Sequence, residues 1–222
     1  LRAQVSPHDH TGRRQRAMTG AIARSELILG GQKSGKSRRA ELLARDWLAQ
    51  RSEHRAVLIA TAQPWDDEMR ERIARHQRDR AVRVPGMATV EEPRDIAAAL
   101  RQHSTPQTLV VVDCLTLWLT HWTMPAPAEQ LERLAAMDFE PKQAQVQSFS
   151  CQAAMFLEAI RGAPGPVVLV GNEIGLGVIP LGREVRAFVD ALGALNQQVA
   201  QVCLRVTLMA AGLPLTLKEP QE

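Results

Sequence analysis

Short runs of consecutive apolar residues alternate along this chain with longer stretches in which apolar residues recur every three or four positions. The continuous runs end near residues 29, 61, 112 and 170, and such runs are typical of parallel strands buried on both faces. Periodic stretches follow them, such as Ala40, Leu43, Ala44 and Trp47 on one helical face. The alternation predicts an α/β domain of three layers with a largely parallel central sheet.

The same patterns place the other elements. They predict a helix from Asp66, whose first turn is acidic, and an exposed insertion at residues 121 to 142, which Pro125 and Pro127 interrupt. The remaining predictions are a helix from 36 to about 51, a strand at 56–61, a short helix at 93–101, a strand at 108–113, helices at 115–122 and 143–161, a strand at 167–172, a helix at 183–201 and a hairpin at 203–209 and 213–217. Ligands of such sheets gather at the carboxyl ends of the strands.

The first apolar run leads directly into the sequence GGQKSGKS, which satisfies the phosphate-loop pattern G-x-x-x-x-G-K-S/T. A Gly-rich turn that matches by chance is the alternative, but the predicted strand before the pattern and the helix after it argue against chance. Backbone N–H groups would face phosphate oxygens, Lys36 would reach the outer phosphates, and Ser37 would bind Mg²⁺. The candidate nucleotide-binding residues are Gly30, Gly31, Gln32, Lys33, Ser34, Gly35, Lys36 and Ser37.

Asp113 ends a predicted buried strand. An acid at this place beside a phosphate loop is expected to hold Mg²⁺, directly or through water. An ordinary strand-ending aspartate is the alternative, and the phosphate loop favours the metal role. We therefore expect Ser37 and Asp113 to be the magnesium ligands.

His76 is the most discriminating candidate outside the loop. Its spacing from Met69 and Ile73 predicts that the imidazole shares a buried helical stripe, with Arg72 and Arg80 four residues to either side. Neighbouring cations disfavour imidazolium, so a neutral ring could act as a nucleophile while the cations attract phosphate. A hydrogen-bonded histidine beside a solvated arginine face is the alternative, and the pattern alone favours it.

A loop at residues 172–180 follows the strand at 167–172. The loop contains two glycines, a proline and the Asn172-Glu173 pair, a composition typical of a loop with a defined conformation that can line a site. Glu173 is a candidate nucleotide-binding residue. A plain strand-to-helix connection is the alternative, and the spacing does not identify a ligand.

Charge separates the first 24 residues from the rest. The chain has 27 basic and 24 acidic residues, and residues 1 to 24 hold five Arg and one Asp, so the remainder has 22 basic and 23 acidic residues. We interpret residues 1 to 24 as a disordered leader or tag-like extension and residues 25 to 222 as one domain. The balanced charge of that domain does not support nucleic-acid binding.

Cellular context follows from what the sequence lacks. It has no apolar run of about 18 residues and no apolar segment near residue 1, so we expect no membrane span and no signal peptide. Cys114, Cys151 and Cys203 are scattered without metal-ligand spacing, and we expect them to be reduced core thiols. A cytoplasmic enzyme fits these features.

Taken together, these segments resemble the bifunctional adenosylcobinamide kinase / adenosylcobinamide-phosphate guanylyltransferases of cobalamin biosynthesis. The resemblance runs from about Glu26 to Lys218. It rests on GGQKSGKS with RRAE after it, IATA at 59–62, DDEM at 66–69 with Arg72, Ile73 and His76, DCLT at 113–116, and NEIGLGVIP at 172–180 with Arg183, Asp190, Asn196 and Gln197. A phosphate loop alone occurs in many families, whereas the segment ending in His76 and NEIGLGVIP are far more specific.

The resemblance implies a RecA-like P-loop NTPase domain with two activities. One phosphorylates adenosylcobinamide with ATP or GTP, and the other transfers GMP from GTP to adenosylcobinamide phosphate. In this family the guanylyl group rests covalently on a histidine, which matches His76, so the resemblance overturns the structural interpretation of that residue. Family members can have a His-His pair where this chain has Arg75-His76, and they are reported to form homotrimers.

Two alternatives stay open, and the second belongs to another functional class. A monofunctional P-loop small-molecule kinase would transfer a γ-phosphate and form no protein-bound guanylate. A nucleotide-dependent regulatory module with the Arg-rich leader as its contact arm would bind nucleotide without turning over cobinamide.

Overall fold

The computed structural model describes residues 22–64, 66–123, 141–177 and 179–220, and gives the backbone alone at 141–148. These residues form seven strands and six helices. The strands are β1 (Ser25–Gly30), β2 (Arg55–Ala60), β3 (Ala88–Glu91), β4 (Thr108–Asp113), β5 (Val167–Val170), β6 (Arg205–Ala210) and β7 (Leu213–Lys218). The helices are α1 (Lys36–Leu48), α2 (Asp67–Arg83), α3 (Ile96–His103), α4 (Leu115–Thr123), α5 (Pro141–Gly162) and α6 (Arg183–Val202). Within the described part, no helix has the length and apolar character needed to cross a membrane.

All seven strands form one sheet in the order β3-β2-β4-β5-β1-β6-β7. The first six are parallel, and β7 returns antiparallel to β6 as the predicted hairpin. This sheet confirms the predicted α/β class. It also places the end of β1, where the phosphate loop begins, at the same edge as Asp113 at the end of β4, with β5 between the two strands.

Alternate residues of the central strands pack into two separate hydrophobic cores, one on each face of the sheet. Leu27 and Leu29 pack into the larger core beneath α3 to α6, and Ile28 between them packs into the smaller core beneath α1. Both faces are therefore covered, which explains why these strands appear in the sequence as unbroken apolar runs. The three-layer prediction is confirmed.

Several local predictions need correction. Strand β3 was not predicted, because its four residues, Ala-Thr-Val-Glu, lie at the sheet edge and none of them is buried. The short helix begins at Ile96 rather than Pro93, since Asp95 caps it by accepting a hydrogen bond from the Ala98 N–H at 2.9 Å. Residues 124–140 of the predicted insertion lie outside the described residues.

The three cysteines do not share one environment. All three are free, and Cys114 and Cys203 are buried as expected. Cys151 is exposed on α5. The expectation of a core thiol is therefore wrong for Cys151, because it lies on the helix surface turned away from the sheet.

Candidate active site

The phosphate loop is tightly curled, and two of its glycines are required by its geometry. Gly30 has φ 151°, and a Cβ there would lie 2.5 Å from the Met209 carbonyl oxygen and 2.6 Å from Ser34 Oγ. Gly35, at φ 101°, lies against Gly212, whose N–H donates to the Ser34 carbonyl at 3.0 Å. Lys33 also has a positive φ, 57°. The β6–β7 hairpin therefore supports the loop from behind.

The loop offers unpaired donors to an anion. Gly35 precedes α1 without a capping side chain, and the first turn of α1 has no acidic residue. Ser34 Oγ is buried with no hydrogen-bond partner in the described part of the chain. Lys36 Nζ donates to the Gly31 carbonyl at 2.6 Å, so the ammonium lies folded over the loop. These groups fit a bound polyphosphate.

Lys36 is also tuned by its surroundings. Desolvation lowers the pKa of Lys36, with the Arg72 guanidinium adding to the effect, while Asp113 opposes it. The charges of Asp113 on β4 and of Arg72 on α2 therefore both act on the pKa of Lys36.

Burial raises the pKa of the Asp113 carboxyl, whereas the nearby Ser37 hydroxyl and the charges of His76, Lys36 and Arg80 act to lower it. A hydroxyl and a carboxylate that lie near each other are oxygen donors of the kind that Mg²⁺ prefers. No group of three or more His, Cys, Asp or Glu with metal-binding geometry occurs among the described residues, so further ligands for such an ion would come from phosphate and water.

The backbone around Asp113 is held by a residue that the sequence analysis did not single out for this role. Thr61 is fully buried at the end of β2, and its Oγ1 both accepts from the Cys114 N–H and donates to the Cys114 carbonyl, each at 2.8 Å. His121 Nε2 lies 2.8 Å from the Thr61 carbonyl oxygen. A threonine immediately after an apolar run was the available signal, but its partner is 53 residues away.

His76 lies on α2, whose N-terminus is capped as its sequence predicts. Asp66 Oδ1 accepts the Met69 N–H at 2.7 Å, and Asp67 and Glu68 occupy the first turn. The predicted buried stripe is wrong, because none of the 17 residues of α2 is buried and His76 is exposed. Six arginines between residues 70 and 83 leave the helix too polar to enter the core.

The predicted effect of neighbouring cations on His76 comes from Arg72 and Arg75 rather than from Arg72 and Arg80. Although His76 is exposed, partial desolvation of its ring lowers its pKa, Arg72 and Arg75 lower it further, and Asp113 and Asp79 partly oppose them. The structure therefore favours a neutral imidazole, and the charge of Asp113 also acts on this ring. Arg80 lies one turn further along α2, and its Nη2 donates to Thr89 Oγ1 at 3.1 Å.

A cavity of about 570 Å³ opens beside the C-terminal half of α2. Its lining includes Gln77, the residue after His76, and Arg80, one turn beyond His76, together with Met87, Thr89 and Glu91. Concave space large enough for a small organic group therefore lies next to the part of α2 that follows His76.

The loop after β5 contacts the phosphate loop through its backbone. The Glu173 N–H donates to the Gly30 carbonyl at 3.1 Å, and Glu173 Oε1 accepts the Gly175 N–H at 3.2 Å. Thr116 Oγ1 accepts the Asn172 N–H, and the Asn196 side chain donates to the Asn172 carbonyl, each at 3.0 Å. Glu173 thus stabilises the conformation of the loop, and its carboxylate already accepts a hydrogen bond from the backbone.

Comparisons with known proteins bear on the family of this chain. The family model described as cobinamide kinase / cobinamide phosphate guanyltransferase matches residues 26–217. The bifunctional adenosylcobalamin biosynthesis protein CobP of Pseudomonas aeruginosa is 42% identical over 193 residues, covering 87% of this chain and 96% of the relative. The bifunctional adenosylcobalamin biosynthesis protein CobU of Escherichia coli is 31% identical over 192 residues, covering 86% and 98%. Among solved structures, the flagellar accessory protein FlaH of Methanocaldococcus jannaschii has a TM-score of 0.49 at 10% identity, covering 96% of this chain and 87% of that one.

Proposed function

Because this chain belongs to the cobinamide kinase / cobinamide phosphate guanyltransferase family, which matches it over residues 26–217, we propose that one nucleotide site carries both of its reactions. The enzyme phosphorylates adenosylcobinamide and then transfers GMP to the resulting phosphate, giving adenosylcobinamide-GDP. The monofunctional kinase and the regulatory module are not favoured, since the family has both activities. The residue roles below are our proposal.

In the guanylyl transfer, the loop residues bind the triphosphate of GTP. The neutral imidazole of His76 attacks the α-phosphorus, so a nitrogen–phosphorus bond forms as the bond to pyrophosphate breaks. Lys33 and Lys36 stabilise the negative charge that gathers on pyrophosphate. A phosphate oxygen of cobinamide phosphate then attacks the same phosphorus, and the bond to His76 breaks.

In the kinase step, the same loop presents the γ-phosphate of ATP or GTP to the hydroxyl of adenosylcobinamide. Ser37 and Asp113 would hold Mg²⁺, which supplies charge neutralisation on the phosphates when bound. Lys36 binds the transferring phosphate, and the N–H groups of the first turn of α1, which has no capping side chain, orient it.

The observation that carries the proposal is the approach of three elements at one edge of the sheet. Ser37 of α1 and His76 of α2 both act on the pKa of Asp113 of β4, and Asp113 acts in turn on the pKa of His76. The proposed nucleophile on α2 and the proposed phosphate site on α1 are therefore both near the same acid.

The test is covalent labelling with α-labelled GTP. Wild type is expected to acquire acid-labile, base-stable label, as a phosphoramidate does, and His76→Ala is expected to lose it by several orders of magnitude in rate. His103→Ala is the matched control, because His103 lies at the end of α3 outside the proposed site. Equal labelling of His76→Ala and wild type would refute the nucleophile assignment.

We further propose that the enzyme is a cytoplasmic homo-oligomer, a homotrimer by family resemblance. Three large apolar side chains in the loop after β5 support self-association: Leu176, Ile179 and Leu181 are 79%, 77% and 97% exposed. Sedimentation equilibrium is expected to give a mass of about three chains, and Leu181→Glu is expected to lower it. A monomeric wild type would contradict the proposal, and cell fractionation tests the location.

A further inference from the structure

Helix α2 carries the proposed nucleophile but is not held by the hydrophobic core. None of its 17 residues is buried, and its N-terminal turn is fixed by the exposed Asp66 cap. A helix in this situation takes its position from contacts at its ends.

The contacts at the C-terminal end of α2 are more substantial. Arg83 Nη1 forms an ion pair and hydrogen bond with Glu41 Oε2 of α1, and the two side chains are only 31% and 10% exposed. Val84, the residue that ends the helix, is 1% exposed in the smaller core, and Arg80 contacts Thr89. The attraction within an ion pair that is shielded from solvent is less screened than on the surface, and removal of one partner leaves the other charge uncompensated.

Glu41 connects this anchor to the nucleotide site. It lies one helical turn after Ser37 on α1, the helix that begins at the phosphate loop. The Glu41–Arg83 pair thus joins the helix that holds the phosphates directly to the helix that carries His76.

We propose that Glu41 and Arg83 are positioning residues that set the placement of His76 relative to the phosphate loop, and hence the rate of guanylyl transfer. The inference rests on the proposed role of His76. Arg83 is seven residues beyond His76, about 10 Å along the axis. A rotation of about 10° at the anchor would therefore move His76 by roughly 2 Å, enough to disturb an in-line attack.

The two activities of the enzyme separate a positioning role from a merely structural one. The kinase step uses the phosphate loop without His76, whereas the guanylyl transfer needs both. Loss of the Glu41–Arg83 pair should slow formation of the guanylyl-enzyme and leave γ-phosphate transfer nearly unchanged. A general loss of folded protein would lower both activities together.

The experiment compares Arg83→Met, Arg83→Lys, Glu41→Gln and wild type. For each protein we would measure kcat and KM for labelling with α-labelled GTP, and the rate of phosphate transfer from γ-labelled ATP to adenosylcobinamide. Arg83→Met and Glu41→Gln are expected to lower the labelling kcat at least about ten-fold, with KM for GTP and the kinase rate within about two-fold of wild type. Arg83→Lys keeps the charge and is expected to recover most of the labelling rate. Arg70→Met is the matched control, because Arg70 pairs with Asp67 at the exposed end of the same helix.

The outcomes distinguish the two hypotheses. If Arg83→Met and Glu41→Gln label at the wild-type rate, or lose labelling and kinase activity in equal measure, the positioning role is wrong while the nucleophile stands. If His76→Ala, assayed in parallel, labels as wild type does, the proposed function fails, and the positioning role with it. Loss of labelling in Arg70→Met would show that any change on α2 suffices, which also refutes a specific role for Arg83.

Discussion

Replacing Gly30 with alanine tests whether the curl of the phosphate loop depends on the absence of a side chain. A methyl group there would meet the Met209 carbonyl oxygen at 2.5 Å and Ser34 Oγ at 2.6 Å. Both distances are shorter than real Cβ contacts, and one partner is backbone of β6, which cannot move without disturbing the sheet. The φ of 151° is also unfavourable for alanine.

These two effects set the expected magnitude. Overpacking costs about 1–3 kcal/mol and the strained backbone about 1–3 kcal/mol, so Gly30→Ala should lose roughly 2–6 kcal/mol of unfolding free energy. For a chain of this size, each kcal/mol lowers Tm by about 2–4 °C, which gives a decrease of roughly 4–24 °C.

Gly31→Ala is the matched control for this measurement. Gly31 is the next residue in the loop, and a Cβ there would have no neighbour within 4 Å. Calorimetry without nucleotide should therefore show a Tm close to that of wild type for Gly31→Ala and a clear decrease for Gly30→Ala. Equal Tm values for the two variants would refute the argument that the β6–β7 hairpin determines the loop geometry.

Three further predictions concern the site and the thiols. Asp113→Asn should lower both activities by roughly two orders of magnitude, and added chelator should abolish both in wild type; retention of either activity in chelator would contradict the magnesium proposal. Because His76 has a lowered pKa, its ring is neutral to lower pH than usual, so the labelling rate should have its acid inflection below about 6.5. Arg75→Met removes a cation and should move that inflection to higher pH, whereas Arg78→Met should not, and an unmoved inflection in Arg75→Met would show that Arg75 does not tune the ring. Burial raises the pKa values of Cys114 and Cys203 to about 12, so a thiol reagent should modify exposed Cys151 quickly in the native protein and all three cysteines only after denaturation.

Much of the fold could be predicted from the sequence, because the patterns that indicate strands and helices lie within short segments of the chain. Apolar runs and helical periodicity predicted six of the seven described strands, and GGQKSGKS located the phosphate loop through the glycines that its backbone requires. Asp113 was identifiable because it ends a buried strand. The exception, β3, has no apolar run, since an edge strand of four exposed or half-buried residues needs none.

The family assignment was also within reach of the sequence, because motifs such as DDEM before His76 and NEIGLGVIP are specific in their order. The assignment of His76 as nucleophile came from that resemblance. The spacing by itself pointed to a buried ring, which was wrong, because periodicity identifies one helical face but does not tell whether the core or solvent lies against it.

Contacts between distant residues were decided by tertiary structure alone. Thr61 supports Cys114 across 53 residues, and Glu41 pairs with Arg83 across 42. No spacing rule links such pairs, since their approach depends on the order of strands in the sheet and the packing of helices upon it. The sequence by itself therefore determined which residues can bind phosphate, and the fold determined which of them lie close together. Strand β4 places Asp113 near Ser37. The ion pair at the end of α2 connects the helix that carries His76 to the helix of the phosphate loop.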